Sequence, residues 1–256
     1  MNQRSLCVAL AVLTLVVTGL SSARGQSAKA IVEKSNAVVG NAKTYQAMEK
    51  MQMSLGALGS TTLIVDMKII PGKKANMKTS ADPNAKGTGQ MAMLSAALSQ
   101  HMWDDGKNVY VYMPAFNKFV KEPHGAQSKE IDPPGLIKLE EGTCKLLAPE
   151  TIEGRPMYVV SGKPAGGGAG ALGIQMQTAV MYIDKATYHI KRVKMTGSVQ
   201  GQQVTITLET VSEKLNAPIP ASVFVFTPPS GATAMQGGLG GMMGGMGGAG
   251  GMRPGQ

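Results

Sequence analysis

The sequence predicts a mainly β chain flanked by helices, with a largely antiparallel sheet. Three observations carry this. Apolar and polar residues alternate over most stretches between positions 45 and 211. Short turns bearing Gly, Pro, Asp or Asn join those stretches. An apolar stripe at three- and four-residue spacing precedes them.

That stripe runs through Ile31, Val32, Ser35, Val38, Val39 and Ala42 and predicts a helix, with Ser27 as N-cap and Gly40-Asn41 as its end. From Tyr45 the period changes to two. Tyr45, Ala47, Met51, Met53 and Leu55 share one parity, broken by a single lapse, Glu49. Residues 56–60 supply a turn. Leu63, Val65, Met67 and Ile69 form the apolar face of the next strand, which Pro71-Gly72 closes. Ala75 and Met77 continue the parity on a third. Residues 81–90 read as a loop, and the Ala, Met and Leu of 91–100 favour helix over strand. Asp105-Gly106 is a hairpin signal before Val109–Tyr112. Pro114 ends that strand and Phe116–Val120 begins another. A proline-bearing loop spans 122–134, with a short helix or turn at 136–139. Strands are expected at 145–152, 156–162, 175–183, 188–196 and 204–211, and a last short one at Val223–Phe226. The glycine-rich 165–173 reads as a flexible loop inside the domain.

The ends differ in composition. Arg4, an apolar run from Leu6 to Leu20 and Ala23-Arg24-Gly25 fit a cleaved export signal over 1–25, so a periplasmic or otherwise exported location is expected. The folded domain is expected over 26–233. Residues 234–256 form a Gly/Met-rich tail too poor in apolar bulk to offset its ordering entropy, and are read as disordered. Cys7 falls in the signal, which leaves Cys144 without an internal disulfide partner. The formal charge is +9 over the whole chain. Without Arg4 and Arg24 there are 23 basic and 16 acidic residues, a modest excess that suits anionic surfaces. The basic residues are dispersed, which argues against nucleic acid.

Catalytic patterns are lacking. His101, His124 and His189 show no metal-ligand spacing and none neighbours Cys144, and each reads as a surface or internally satisfied residue. No nucleophile elbow, phosphate-binding loop or dinucleotide fingerprint occurs. Asp104-Asp105 and Glu140-Glu141 are adjacent pairs that point to opposite faces of a strand, and they read as turn and solvent residues. The chain is therefore expected not to be an enzyme and to need no cofactor.

Methionine is the unusual feature, with thirteen between residues 26 and 234. Met51, Met53, Met67 and Met77 all fall on the apolar parity. Such a face can repack around a flexible acyl chain, and ordinary core packing accounts for the same pattern. Thioether sulfur also suits Cu(I), which makes Met48-x-x-Met51-x-Met53 and Met242-Met243-x-x-Met246 a competing reading. Met48 faces away from Met51 and Met53, which weakens the first cluster.

Two stretches carry a resemblance. Asp105-Gly106-Lys107-Asn108-Val109-Tyr110-Val111-Tyr112-Met113-Pro114 resembles a signature of the periplasmic outer-membrane lipoprotein carriers, the LolA-like family. Phe224-Val225-Phe226-Thr227-Pro228-Pro229-Ser230-Gly231 resembles that family's closing motif. Tyr182-Ile183-Asp184-Lys185 followed by Ile190-Lys191-Arg192-Val193 is similar to a late hairpin of its members. The resemblance spans about residues 26–233. It implies an unclosed, curved antiparallel β-barrel covered by helices, with a hydrophobic cavity for lipoprotein acyl chains and no covalent chemistry. Ten residues of the apolar parity are then the candidate lining: Met51, Met53, Leu63, Val65, Met67, Met77, Val111, Met113, Ile206 and Leu208.

The chain departs from those carriers in having no arginine between Arg24 and Arg155, and in the segments at 91–100, 165–173 and 234–256. A divergent member is expected, acting as a monomer. Its partners would be a lipid or an acylated lipoprotein and a membrane-associated donor or acceptor protein. A cell-envelope interaction module that uses the same fold without cargo is the alternative.

Overall fold

The computed structural model describes residues 26–85, 89–125, 138–165, 168–169 and 174–235. The expected signal and nearly all of the expected tail lie outside these residues, as do Met242, Met243 and Met246. Among the described residues the α-helices are α1 (Ala28–Gly40) and α2 (Gln90–Leu98). The strands of the N-terminal half are β1 (Tyr45–Ser54), β2 (Ser60–Ile70), β3 (Lys74–Ala81), β4 (Gln100–Asp104), β5 (Asn108–Met113) and β6 (Lys118–Pro123). Those of the C-terminal half are β7 (Lys145–Leu146), β8 (Glu150–Ile152), β9 (Arg155–Gly162), β10 (Gly168–Ala169), β11 (Ile174–Asp184), β12 (Ile190–Val199), β13 (Gln202–Leu215) and β14 (Thr233–Ala234).

All belong to one curved sheet in the order β14-β6-β5-β4-β3-β2-β1-β13-β12-β11-β9-β7, with β10 on β11 and β8 on β9. The end strands β14 and β7 do not pair, so the barrel stays open. Every pairing is antiparallel except that of β14 with β6. The join between the halves is β1 with β13, which sets Met51 opposite Leu208 and Met53 opposite Ile206. On the other side of β1, Met51 faces Leu63 and Ala47 faces Met67.

Alternation does the sorting. Odd positions of β1 and β2 turn to the concave side, where Tyr45, Ala47, Met53, Leu63, Met67 and Ile69 are buried. Even positions face out, and Met48 is 40% exposed. Met48 therefore lies on the opposite face from Met51 and Met53, and the first methionine cluster does not converge.

Helix α1 begins as its sequence implies, with Ser27 Oγ accepting from Ala30 N at 3.2 Å. Its buried stripe of Ile31, Val32, Ser35 and Val39 lies on the concave side. Ile31 and Val32 pack with Val160, Met181, Ile183 and Val193, while Val39 packs with Tyr45, Met67 and Val109. Helix α2 covers a different region, where Leu94 and Leu98 pack against Met53, Ile174, Val204 and Ile206.

The two quoted motifs have separate structural jobs. In the β4–β5 turn, Asp105 Oδ1 accepts from the backbone N–H groups of Lys107 and Asn108, each at 2.7 Å. Gly106 sits at φ +87°, and a Cβ there would meet Lys73 O at 2.9 Å. Only glycine fits both demands. The closing motif is a strap across the outer face. Asn76 Nδ2 donates to Val223 O at 2.9 Å. Phe224 is buried, and Phe226 stacks on Tyr110 at 4.6 Å with Trp103 and Phe119 at 5.1 Å.

Several expectations need correction. The strand expected at Val223–Phe226 is instead a 3-10 turn over Ala221–Phe224 followed by extended chain. Pro218, Pro220, Pro228 and Pro229 have no N–H to offer a ladder, so this segment is held by side chains. The strand expected over 145–152 is split into β7 and β8, with Pro149 between them. Residues 168–169 of the expected glycine loop pair with β11. Asp104 is no solvent residue: it is buried and lies 2.9 Å from His124 Nδ1. Of the short helix or turn expected at 136–139, Leu139 forms an isolated bridge to Pro164 and 136–137 lie outside the described residues.

Candidate functional site

The concave face divides into three apolar clusters. One lies under Val39 and the N-terminal strands, one under the first turns of α1, and one under α2. Met51 packs against the first and third, and Met195 and Leu208 against the second and third. These three side chains sit where the clusters meet, between the two helices. They are half-buried, as is Met77 on β3. The helices thus cover the face unevenly and leave an apolar seam of Met51, Met195 and Leu208, with Met77 half-open elsewhere on β3.

The ten candidate residues all lie on this face, and the structure divides them. Met53, Leu63, Val65, Met67, Val111, Met113 and Ile206 are buried within the packed clusters or beside them. Met51, Met77 and Leu208 remain partly open. Met195 belongs with them and was missed. Its parity on β12, opposite Ile206 and Ala179, is the signal that finds it.

A cavity of about 410 Å³ flanks α1. Its walls are Lys29, Val32, Glu33 and Asn36 on the helix, and Lys138, Leu139, Glu141, Gly142 and Cys144 on the segment opposite. Helical spacing brings the first four to one side. The opposite segment is anchored on β9: Glu140 N donates to Lys163 O at 2.7 Å, and Leu139 presses on Gly162, where a Cβ would meet Leu139 Cδ1 at 2.8 Å. Val32, Leu139 and Cys144 also belong to the apolar cluster under α1, so the cavity wall is continuous with the concave face. Lys29 Nζ and Glu141 Oε1 pair at 2.8 Å across the walls, and the hydrogen bond holds Glu141 below the usual carboxylate range. The Asn36 carboxamide oxygen is buried with no partner among the described residues. Sequence reasoning missed this cavity because it lies between a helix flank and a loop, where strand parity gives no signal.

Glu49, the lapse in the apolar parity, is 6% exposed. Its carboxyl has no hydrogen-bond partner among the described residues. Burial, with the nearby Glu213 charge adding to it, pushes its pKa up to about 7. Glu49 stands opposite Thr210, at a register shift where β13 carries one extra residue, Val211. Among the described residues no group of three or more His, Cys, Asp or Glu could hold a metal ion, and no helix is long and apolar enough to cross a membrane.

No protein-family model matches the chain, and no curated protein sequence does. Solved structures do. The chain is similar to structures of the LolA superfamily. A LolA superfamily protein from Nitrosomonas europaea matches at 12% identity and TM-score 0.37, over 78% of this chain and 98% of that one. An uncharacterized conserved protein from Thermus thermophilus matches at 14% identity and TM-score 0.48, over 82% and 99%. The lipoprotein LppX from Mycobacterium tuberculosis matches at 14% identity and TM-score 0.43, over 76% and 97%.

Proposed function

We propose that this protein is an exported carrier that holds a lipid or the acyl chains of a lipoprotein against its concave face, without covalent chemistry. The observation that supports it is the cavity of about 410 Å³, whose wall joins an apolar face that two helices leave partly uncovered. That volume lies in the range of small-molecule sites, roughly 300–1,000 Å³. Each methylene taken from water is worth about 0.8 kcal/mol, so a long chain binds firmly with few directional contacts. The half-open positions Met51, Met77 and Met195 carry unbranched side chains that repack around a guest of variable length.

Cys144 supplies the test, because it lines the cavity and is the free thiol of the described residues. Purified protein extracted with organic solvent is expected to release lipid detectable by mass spectrometry. Delipidated protein should then react with a maleimide several-fold faster than protein incubated with a long-chain monoacylglycerol. An extract without lipid, together with unchanged labelling of Cys144, would leave the cargo-free interaction module as the better reading.

A further inference from the structure

We infer that hydrocarbon binding on the concave face is coupled to proton uptake by Glu49, so that the protein loads its cargo in mildly acidic surroundings and loosens it in alkaline ones. This rests on the carrier reading and adds a means of control to the same site.

The argument begins with position. Glu49 lies two residues from Met51 on the same strand and the same face, about 7 Å along it. Leu208, cross-strand from Met51, lines both the seam and a small void beside the Glu49 carboxyl. That void has a water-accessible volume of about 10 Å³, room for one water. A chain lying on Met51 and Leu208 would cover the side of that void that Leu208 lines.

Among the described residues no lysine or arginine lines the void beside the carboxyl. Glu213 approaches from β13, with its own carboxylate held by His189 Nδ1. Tyr45 comes from β1, where burial and the two glutamates push its phenol well above its ordinary range. Helix α1 contributes Val39, β12 contributes Ile190 and Val193, and β2 sets Val65 opposite. An ionised Glu49 would depend on water entering that void, and a hydrocarbon that keeps water out must find the group neutral or force it to be. The carboxyl titrates near pH 7 before cargo arrives, so this demand is felt close to neutrality.

The test uses a fluorescent monoacylglycerol, whose head carries no charge at any pH used. Its Kd for the wild-type protein is expected to weaken roughly tenfold between pH 6 and pH 8, because a group of pKa near 7 is neutral in only about one molecule in ten at the higher pH. Glu49→Gln should bind with a Kd independent of pH. Calorimetry of the wild type at pH 8, in two buffers of different ionisation heat, should register the uptake of nearly one proton, and this arm needs no variant. Binding that is flat with pH, or a slope that survives in Glu49→Gln, overturns the coupling and leaves the carrier reading standing. Failure of both proteins to bind the probe at every pH overturns the carrier reading and the coupling with it.

Discussion

Replacing Glu49 with Gln is expected to stabilise the folded chain above pH 7 and to change it little below about pH 4. The pKa of this carboxyl stands at about 7, against an ordinary value of 4.5. Each unit of that difference corresponds to about 1.4 kcal/mol, so ionising Glu49 costs the folded state about 3 kcal/mol. The sign follows from the proton count. Between pH 4.5 and 7 the folded chain keeps the proton that the unfolded chain has lost, so stability falls as pH rises through that window and levels off above it. Gln keeps the shape and carries no charge, which removes the fall. Urea unfolding of both proteins from pH 4 to pH 9 measures the effect. The curves should coincide at the acid end and separate by about 3 kcal/mol at pH 8, equivalent to roughly 6–12 °C in Tm for a domain of this size. Parallel curves across the whole range would mean that Glu49 ionises in the fold at no special cost, and the account of an unpartnered buried carboxyl would fail.

Other substitutions separate the core from the open seam. Met67→Asp places a charge in a fully buried position between Ala47 and Met77 and should unfold the chain, with a loss above about 3 kcal/mol by urea titration. Met195→Asp, on the half-open seam, should retain a cooperative unfolding transition and lose acyl uptake; normal uptake would show that the cargo lies elsewhere. Phe224→Ala removes a buried anchor of the outer strap and should cost about 3–5 kcal/mol, with acyl affinity of the folded fraction unchanged. Gly197→Ala would bring a Cβ within 2.3 Å of Gln175 O at the irregular β11–β12 pairing, so a loss of at least about 1–3 kcal/mol is expected in thermal unfolding.

Much of this arrangement is written in local patterns. Parity alone separated Met51 and Met53 from Met48, because successive strand side chains point to opposite faces whatever surrounds them. The helix cap at Ser27, the turn at Asp105-Gly106 and the helical preference of 91–100 are likewise set within a few residues. The same local reasoning failed at the closing motif. Alternating Phe224 and Phe226 looks like a strand, yet the flanking prolines deny it a ladder and the rings lodge on the outer face. It failed again at Asp104, whose partner His124 lies twenty residues away.

What the chain determines by itself, then, is which side chains share a face, since that follows from a backbone repeat of two or 3.6 residues. What only the tertiary structure decided is which of those side chains stay open. Met67 and Met51 have the same parity on neighbouring strands, but one is sealed within a cluster and the other lies between the two helices. The cavity beside α1 and the cost of burying Glu49 belong to the same class. Each depends on surfaces contributed by segments distant in sequence, and exclusion of water is a property of their joint shape rather than of any one segment.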